Sequence, residues 1–319
     1  MTKSATARRL RAGLTVFAAT ALAGLGASAQ TLAQPSQTAL EASAANYVRY
    51  RSDVDHVKAA GFNGPADVRE AHKRLAGHDA QAFADGWIAY AALVAADTPA
   101  FADGMRKVAG KKKSRAEFVA RLNADPRTPA SVPGAREAVE QVLIMAARDA
   151  RAIAALGATF QEQAYAMQKT SWGETKLAAS AGERIAEAKA YRASRGAART
   201  GALSPSQSRG VVAPSLASAD ADWTPAWSTA AVGAPQQDAK ADTTLDRVMY
   251  LATRYALGDL TPELVSTFGK NTRGGRCVSL AQANLDACIS ATNAPFEEAF
   301  CIGNHALNDI SACVGGVVQ

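Results

Sequence analysis

Near the C-terminus, Glu297, Cys301, His305 and Asp309 recur every four residues, so on a helix they share one slowly drifting stripe. An imidazole flanked by carboxylates can ligate a transition metal. A histidine near Glu297 or Glu298 can also work as an acid–base pair. Two features weigh against such a centre. If Cys301 is oxidised, the remaining ligands are one histidine and acids spread over about 18 Å of helix, too far apart to meet one ion. A Glu and a His eight residues apart are also ordinary on a solvated helix face. The preferred expectation is a structural stripe with no metal and no cofactor. The alternative is a periplasmic enzyme or metal-binding protein centred on Glu297, Glu298 and His305. The other histidines, His56, His72 and His78, lack an HxxxH or HExxH spacing and read as solvent-facing or satisfied structural residues.

Three further groups could bind rather than react. Lys111, Lys112 and Lys113, with Arg106, Lys107 and Arg115 nearby, crowd one stretch and could touch lipid headgroups or acidic envelope polymers. Lys270, Arg273 and Arg276 stand among Gly269, Gly274 and Gly275 and could cradle an anion at a helix start. The GKNT tetrad they contain lacks the upstream glycine and strand of a nucleotide-phosphate loop. Trp223 and Trp227 in DWTPAW could dock a tether or pack back on a neighbouring domain. No nucleophile elbow frames any serine, and no zinc-protease signature occurs. No catalytic residue is assigned.

All four cysteines lie between Cys277 and Cys313. Val278, Leu280, Ala281 and Leu285 mark one amphipathic run, Asn293 and Pro295 punctuate the chain, and a second run extends from Phe296 to Cys313. This predicts a helical hairpin turning at 292–295. Cysteines eleven apart on one helix are about 16 Å apart, whereas a disulfide needs Cα atoms within about 7 Å. Pairing must therefore cross the hairpin. The position numbers of Cys288 and Cys301, and of Cys277 and Cys313, add to nearly the same total, which is antiparallel register. Of the three connectivities, the nested one, Cys288–Cys301 with Cys277–Cys313, fits best. Cys301 and Cys313 are out of phase by about 120° on an ideal helix, so Cys313 is expected at a frayed or 3₁₀ end. The pattern is similar to twin-cysteine helical hairpins of the coiled-coil-helix type, with longer spacings.

Disulfides imply an oxidising compartment, and the N-terminus supplies a route. Lys3, Arg8, Arg9 and Arg11 form a basic region, Leu14–Leu25 is apolar, and Ala27-Ser28-Ala29 is a cleavage signal. The apolar run is too short to span a bilayer, and no later segment approaches the roughly 20 apolar residues of a span. Arg8-Arg9 also fits twin-arginine export, with the general route preferred. A periplasmic or secreted bacterial protein is expected. The net charge of +6 comes from 35 basic and 29 acidic residues. Removing the four basic residues of the leader leaves 31 against 29, or +2, which gives no case for nucleic acid.

The elements that must position these groups read as helices throughout. Helical spacing runs over 38–60, 65–75, 79–94 and 98–108, and Ser114 with Glu117 forms a capping box before 115–123. After Pro126, Pro129 and Pro133 comes the longest element. Val139, Val142, Ala146, Asp149, Ile153, Leu156, Phe160, Gln163 and Met167 form a heptad-like stripe, and Ala150, Gly157 and Ala164 beside it would let a partner helix approach closely. Helix resumes over 174–193. Residues 196–242 are rich in Ala, Ser, Pro and Gly and read as a flexible linker. Helices return at 243–257 and from Thr261. The expected organisation is all-α: a leader at 1–29, a helical bundle at 36–195 with one long helix, a tether at 196–242, and a small C-terminal hairpin domain at 243–319.

On the stretches FCIGNHALNDISAC and AYAMQKTSW the chain resembles exported Ala-rich helical proteins of alphaproteobacteria, a group for which the resemblance implies no activity and no site. The expected function is a non-catalytic envelope binding or scaffolding protein, with an envelope protein or polymer as partner. The leader generates one prediction: N-terminal sequencing of the exported protein should begin at Gln30. A start beyond Gln34, or a retained Met1, would refute it.

Overall fold

A computed structural model describes the backbone of residues 35–197 and 239–316, and the side chains of 39–195 and 243–316. The expected leader, its cleavage at Gln30, and Trp223 and Trp227 lie outside the described residues. Among the described residues every regular element is helical.

Helices α1 (Pro35–Ala60), α2 (Pro65–Ala76), α3 (Ala80–Asp97), α4 (Pro99–Ala109) and α5 (Lys112–Ala124) follow in order. A 3₁₀ turn at Thr128–Ser131 precedes α6 (Ala135–Met167) and α7 (Ala181–Ala197). Local chemistry sets these boundaries. Proline opens α2 and α4, where the missing N–H costs nothing. The Asp79 carboxylate caps α3 by accepting from the Ala82 N–H at 2.7 Å. Gly61, at φ +60°, ends α1. Two expected starts move. Ser114 does not cap α5: the helix begins a turn earlier, and the Ser114 hydroxyl bonds back to the Lys111 carbonyl at 3.2 Å. The helix expected from residue 174 starts at Ala181 instead, because Ser180 and Glu183 cap each other. The Ser180 N–H and hydroxyl donate to the Glu183 carboxylate at 2.7 and 2.8 Å, and the Glu183 N–H donates back at 3.3 Å.

The C-terminal part comprises α8 (Ala239–Leu257), α9 (Pro262–Phe268), α10 (Thr272–Ser290) and a long final helix whose turns change type. It runs as α11 (Pro295–Cys301), a π-helix (Ile302–Asp309) and α12 (Ile310–Gly315). α8 begins four residues before the expected 243. These helices do not form a core of their own, as the expected division into bundle and hairpin domain required. α8 and α10 pack on α3, and α11, the π-helix and α12 pack on α6. Buried residues of both parts belong to one cluster, from Leu40, Tyr47 and Trp87 to Leu285, Ile302 and Leu307. The physical reason lies in α3. Its run Trp87–Ala96 is apolar all round and wholly buried, and a helix without a polar face must be covered on every side. α1 covers one side of it, and the C-terminal helices are needed for the rest.

Both disulfides of the nested pairing are present, Cys277–Cys313 and Cys288–Cys301, each with Cα atoms 5.7 Å apart. Cys313 is not at a frayed end; it lies within α12. The phase error disappears because the intervening turns are π-type, closed by i→i+5 bonds and holding more residues per turn than an α-helix. The twelve residues from Cys301 to Cys313 then fit into about three turns, and both sulfurs return to the face that meets α10.

The long stripe of α6 is the central packing surface. Val142, Ala146, Asp149, Ile153, Leu156, Phe160 and Met167 are buried, while Val139 and Gln163 are partly exposed. Its partner is the π-helix. They cross where glycine faces glycine: a Cβ on Gly157 would stand 2.8 Å from the Gly303 carbonyl oxygen and 2.2 Å from the Asn308 side chain, and one on Gly303 would stand 2.8 Å from the Gly157 carbonyl oxygen. Gly157→Leu is therefore expected to lower the unfolding free energy by about 1–3 kcal/mol or more. Gly182→Ala, where nothing lies within 4 Å, should leave it unchanged or slightly raised. Urea denaturation of both variants checks this, and equal midpoints would contradict the crossing.

Candidate functional site

The four-residue stripe of the final helix is distributed among different surroundings. Cys301 is consumed by its disulfide. A Glu297 carboxylate oxygen accepts from the Ala294 N–H at 3.0 Å and from the Asn293 N–H, closing the first turn of α11. His305 and Asp309 do meet, Nδ1 to Oδ2 at 2.9 Å, and Asn284 of α10 donates to the same Asp309 oxygen at 3.0 Å. That trio binds the π-helix to α10. Among the described residues no group of three or more His, Cys, Asp or Glu side chains converges as a metal site would require.

Glu298, by contrast, is completely buried. It faces His72 of α2, with Nδ1 and Oε1 2.9 Å apart, and Arg184 of α7, with Nε and Oε2 3.4 Å apart. Arg184 also donates to the Thr292 hydroxyl at 2.6 Å and to the Thr292 and Ile289 carbonyls at 3.3 and 3.4 Å. One ion cluster thus fixes the hairpin turn against α2 and α7. The sequence leaves His72 open between a solvent-facing and a satisfied structural residue; it is buried, and its buried partner Arg184 was missed. The backbone adds to the anchorage: the Leu177 N–H donates to the Asn293 carbonyl at 2.8 Å, and the Phe296 N–H to the Gly173 carbonyl at 3.3 Å.

Two more buried clusters were not legible. Asp53 of α1 pairs with His78 at 2.9 Å and with Arg74 at 3.1 Å, and accepts two bonds from Arg195 of α7. Burial opposes its charge, but the bonds from His78 and Arg195 win and lower its carboxyl to about 2. His78 is pushed below its usual 6.5 by burial, with Asp53 offsetting only part. On α6, Asp149 accepts from the Tyr47 hydroxyl at 2.6 Å and faces Arg51 at 3.5 Å, while Arg51 donates to the Tyr90 hydroxyl at 2.9 Å. Burial raises the Asp149 carboxyl despite Arg51 and Tyr47.

The basic groups separate as well. Lys111, Lys112 and Lys113 are exposed at the start of α5, and Lys270, Arg273 and Arg276 are exposed around the start of α10. The place an anion would take at α10 is filled by protein. Asn271 caps the Gly274 N–H at 3.0 Å, and the Asn271 N–H donates to Asp85 at 2.7 Å. Gly274 and Gly275 serve a close crossing instead: a Cβ on either would press on Ala84 or Gln81 of α3.

A groove of about 350 Å³ lies between α6 and the hairpin tip. Ala164, Tyr165 and Gln168 of α6 form one wall. Cys288, Ala291 and Thr292 at the end of α10, with Phe296, Glu297, Phe300 and Cys301 of α11, form the other. Phe296 and Phe300 are four apart and share a helix face. Tyr165, 59 % exposed, leans edge-on to Phe300 with ring centroids 6.0 Å apart. The Cys288–Cys301 disulfide lies in the lining, and Thr292 is the residue that Arg184 holds. A smaller depression of about 250 Å³ between the 3₁₀ turn and α8 is lined by prolines, two arginines and Asp246. The larger groove falls within the 300–1,000 Å³ range of ligand sites.

Comparison with family models, curated proteins and solved structures finds no match to the chain. The site rests on its own chemistry.

The Asp53 cluster gives a pH prediction. A carboxyl held at about 2 in the fold, against an ordinary 3.8, contributes stability that is complete above about pH 4 and is lost as pH falls toward 2. His78, lowered from 6.5, acts in the same direction: its contribution is complete above about pH 6.5 and declines below it. Wild-type stability should therefore fall continuously on acidification from pH 7. Asp53→Asn should cost about 3 kcal/mol at pH 7 by leaving Arg195 and Arg74 without their charge partner, and should flatten the limb below pH 4. Urea midpoints across pH measure this; an unchanged acid limb in the variant would remove Asp53 from the explanation.

Proposed function

We propose that this chain is a non-catalytic, exported binding protein of the cell envelope, and that the groove between α6 and the stapled hairpin takes its ligand. The observation that carries the reading is the composition of the groove wall: three aromatic rings and a disulfide around small buried residues, beside the cross-linked and ion-paired hairpin turn. Apolar lining with a few placed polar groups is the usual character of a ligand site. Two disulfides fit an oxidising compartment. Among the described residues no helix is long and apolar enough to cross a membrane. The candidate reactive residues Glu297, Glu298 and His305 each have a structural occupation, and this supports binding over catalysis.

The test uses Nile red, an uncharged dye that brightens in apolar surroundings. It should bind the oxidised protein at one site, and Phe300→Asp should weaken it at least about tenfold by placing a charge in the wall. Leu280→Asp alters an exposed apolar residue outside the groove and should have no effect. Dye binding that ignores Phe300→Asp, or no binding at all, would overturn the proposal.

A further inference from the structure

The lining of the groove has a sign. Of its ten residues none is basic, and Glu297 supplies the one carboxylate. The carboxylate is fixed in place, since one oxygen accepts the Asn293 and Ala294 N–H groups. The cation behind the wall, Arg184, is paired with the buried Glu298, so its charge is balanced before it reaches the groove. Around this acid stand Tyr165, Phe296 and Phe300. The Tyr165 and Phe300 planes meet at 68° and so make a corner rather than a flat stack. An aromatic ring carries negative potential on its face. A corner of rings with one carboxylate on the rim is attractive to a cation whose hydration is weak enough to surrender.

We propose that the groove selects a small quaternary-ammonium compound, a free molecule of the choline or betaine-aldehyde type. This rests on the groove being the binding site and names its ligand class. A quaternary ammonium is apolar on its surface, because its charge lies under methyl groups. It therefore satisfies aromatic walls and a carboxylate at once, where a primary ammonium would demand hydrogen-bond acceptors. Apart from the carboxylate, the lining offers only Thr292, whose hydroxyl is engaged by Arg184, the Tyr165 hydroxyl and Gln168. A volume of about 350 Å³ suits one such molecule rather than a chain or a protein segment.

The experiment is isothermal titration of the full oxidised protein with choline chloride, and with dimethylbutanol, in which carbon replaces the ammonium nitrogen. Choline should bind at one site and dimethylbutanol at least about tenfold more weakly, the difference being the charge on the rings. Glu297→Gln keeps an acceptor for the Ala294 N–H and should weaken choline several-fold. Phe300→Leu keeps the wall apolar but removes the ring; it should lose choline binding while retaining Nile red. Equal affinity for the uncharged isostere, or choline binding indifferent to Glu297→Gln and Phe300→Leu, would overturn the ammonium assignment while leaving an apolar groove intact. Association with phosphatidylcholine vesicles without binding of free choline would overturn the small-molecule occupant. Wild-type protein that binds Nile red but not choline would overturn this inference alone, whereas wild-type protein that binds neither would overturn the groove itself.

Discussion

Two disulfides can staple one helical hairpin only if both cysteines of each helix return to the face that meets the other helix. On α10 the eleven-residue interval satisfies this with ordinary α-helical turns, within about 20°. On the final helix the twelve-residue interval does not, and the chain meets the constraint by widening its turns over Ile302–Asp309. The rest of the C-terminal architecture depends on that segment. Its Gly303 permits the backbone of α6 to approach at Gly157. Its Ala306 carbonyl receives the Tyr50 hydroxyl of α1 at 3.1 Å. Its His305–Asp309 pair reaches Asn284 on α10. Such wide turns are rare in helices, and this one lies between Cys301 and Cys313, both tied to α10 by disulfides.

Alanine is the commonest buried residue among the described residues, and this affects how the helices find their partners. Alanine-lined helices pack closely, but they offer little shape to distinguish one register from the next. Three buried ion clusters supply that information. Asp149 with Arg51, Tyr47 and Tyr90 joins α1, α3 and α6. Asp53 with Arg74, His78 and Arg195 joins α1, α2 and α7. Glu298 with His72 and Arg184 joins α2, α7 and α11. Buried pairs gain little net stability over apolar replacements, but a mispaired one is costly. A shift of any helix by one turn would leave a charge buried alone. The clusters act as selectors of register more than as sources of stability.

What was legible in the sequence follows from the range of the interactions. Helix type, most boundaries and the long central stripe depend on neighbours within a few residues, and they were read correctly from periodicity, prolines and caps. The disulfide pairing was legible because antiparallel register is arithmetic on residue numbers. Ser114 misled because its hydroxyl can either cap a helix or bond back inside one, and both look alike in sequence. The π-turns were invisible: nothing in IGNHALND separates them from α-helix except the very phase mismatch, which was assigned to the end of the helix instead of its middle. The ion clusters join residues more than a hundred positions apart, such as Tyr47 with Asp149, and no local pattern announces them. The single shared core was missed because the composition of 196–242 suggested separation, whereas the all-apolar face of α3 already required covering by something outside the first half of the bundle.

The groove follows from the same covalent geometry. A hairpin stapled at Cys288–Cys301 brings the end of α10 and the start of α11 to a fixed separation, and the Arg184–Thr292 bond holds the connecting turn inward. Small buried residues then form its floor: Ala164 on α6 and Thr292 at the hairpin turn. Large residues sit at the rim, since Phe296 and Phe300 project from the same face of α11 and Tyr165 follows Ala164 directly. Small floor and large rim leave an open volume that neither wall can collapse into, because one wall is cross-linked and the other is locked to the π-helix at Gly157. An unanchored apolar cleft of this size would be expected to close on itself and bury its rings. This one stays open because closing it would require moving a disulfide, a buried ion cluster and a glycine crossing together, and that rigidity is what a preformed binding site requires.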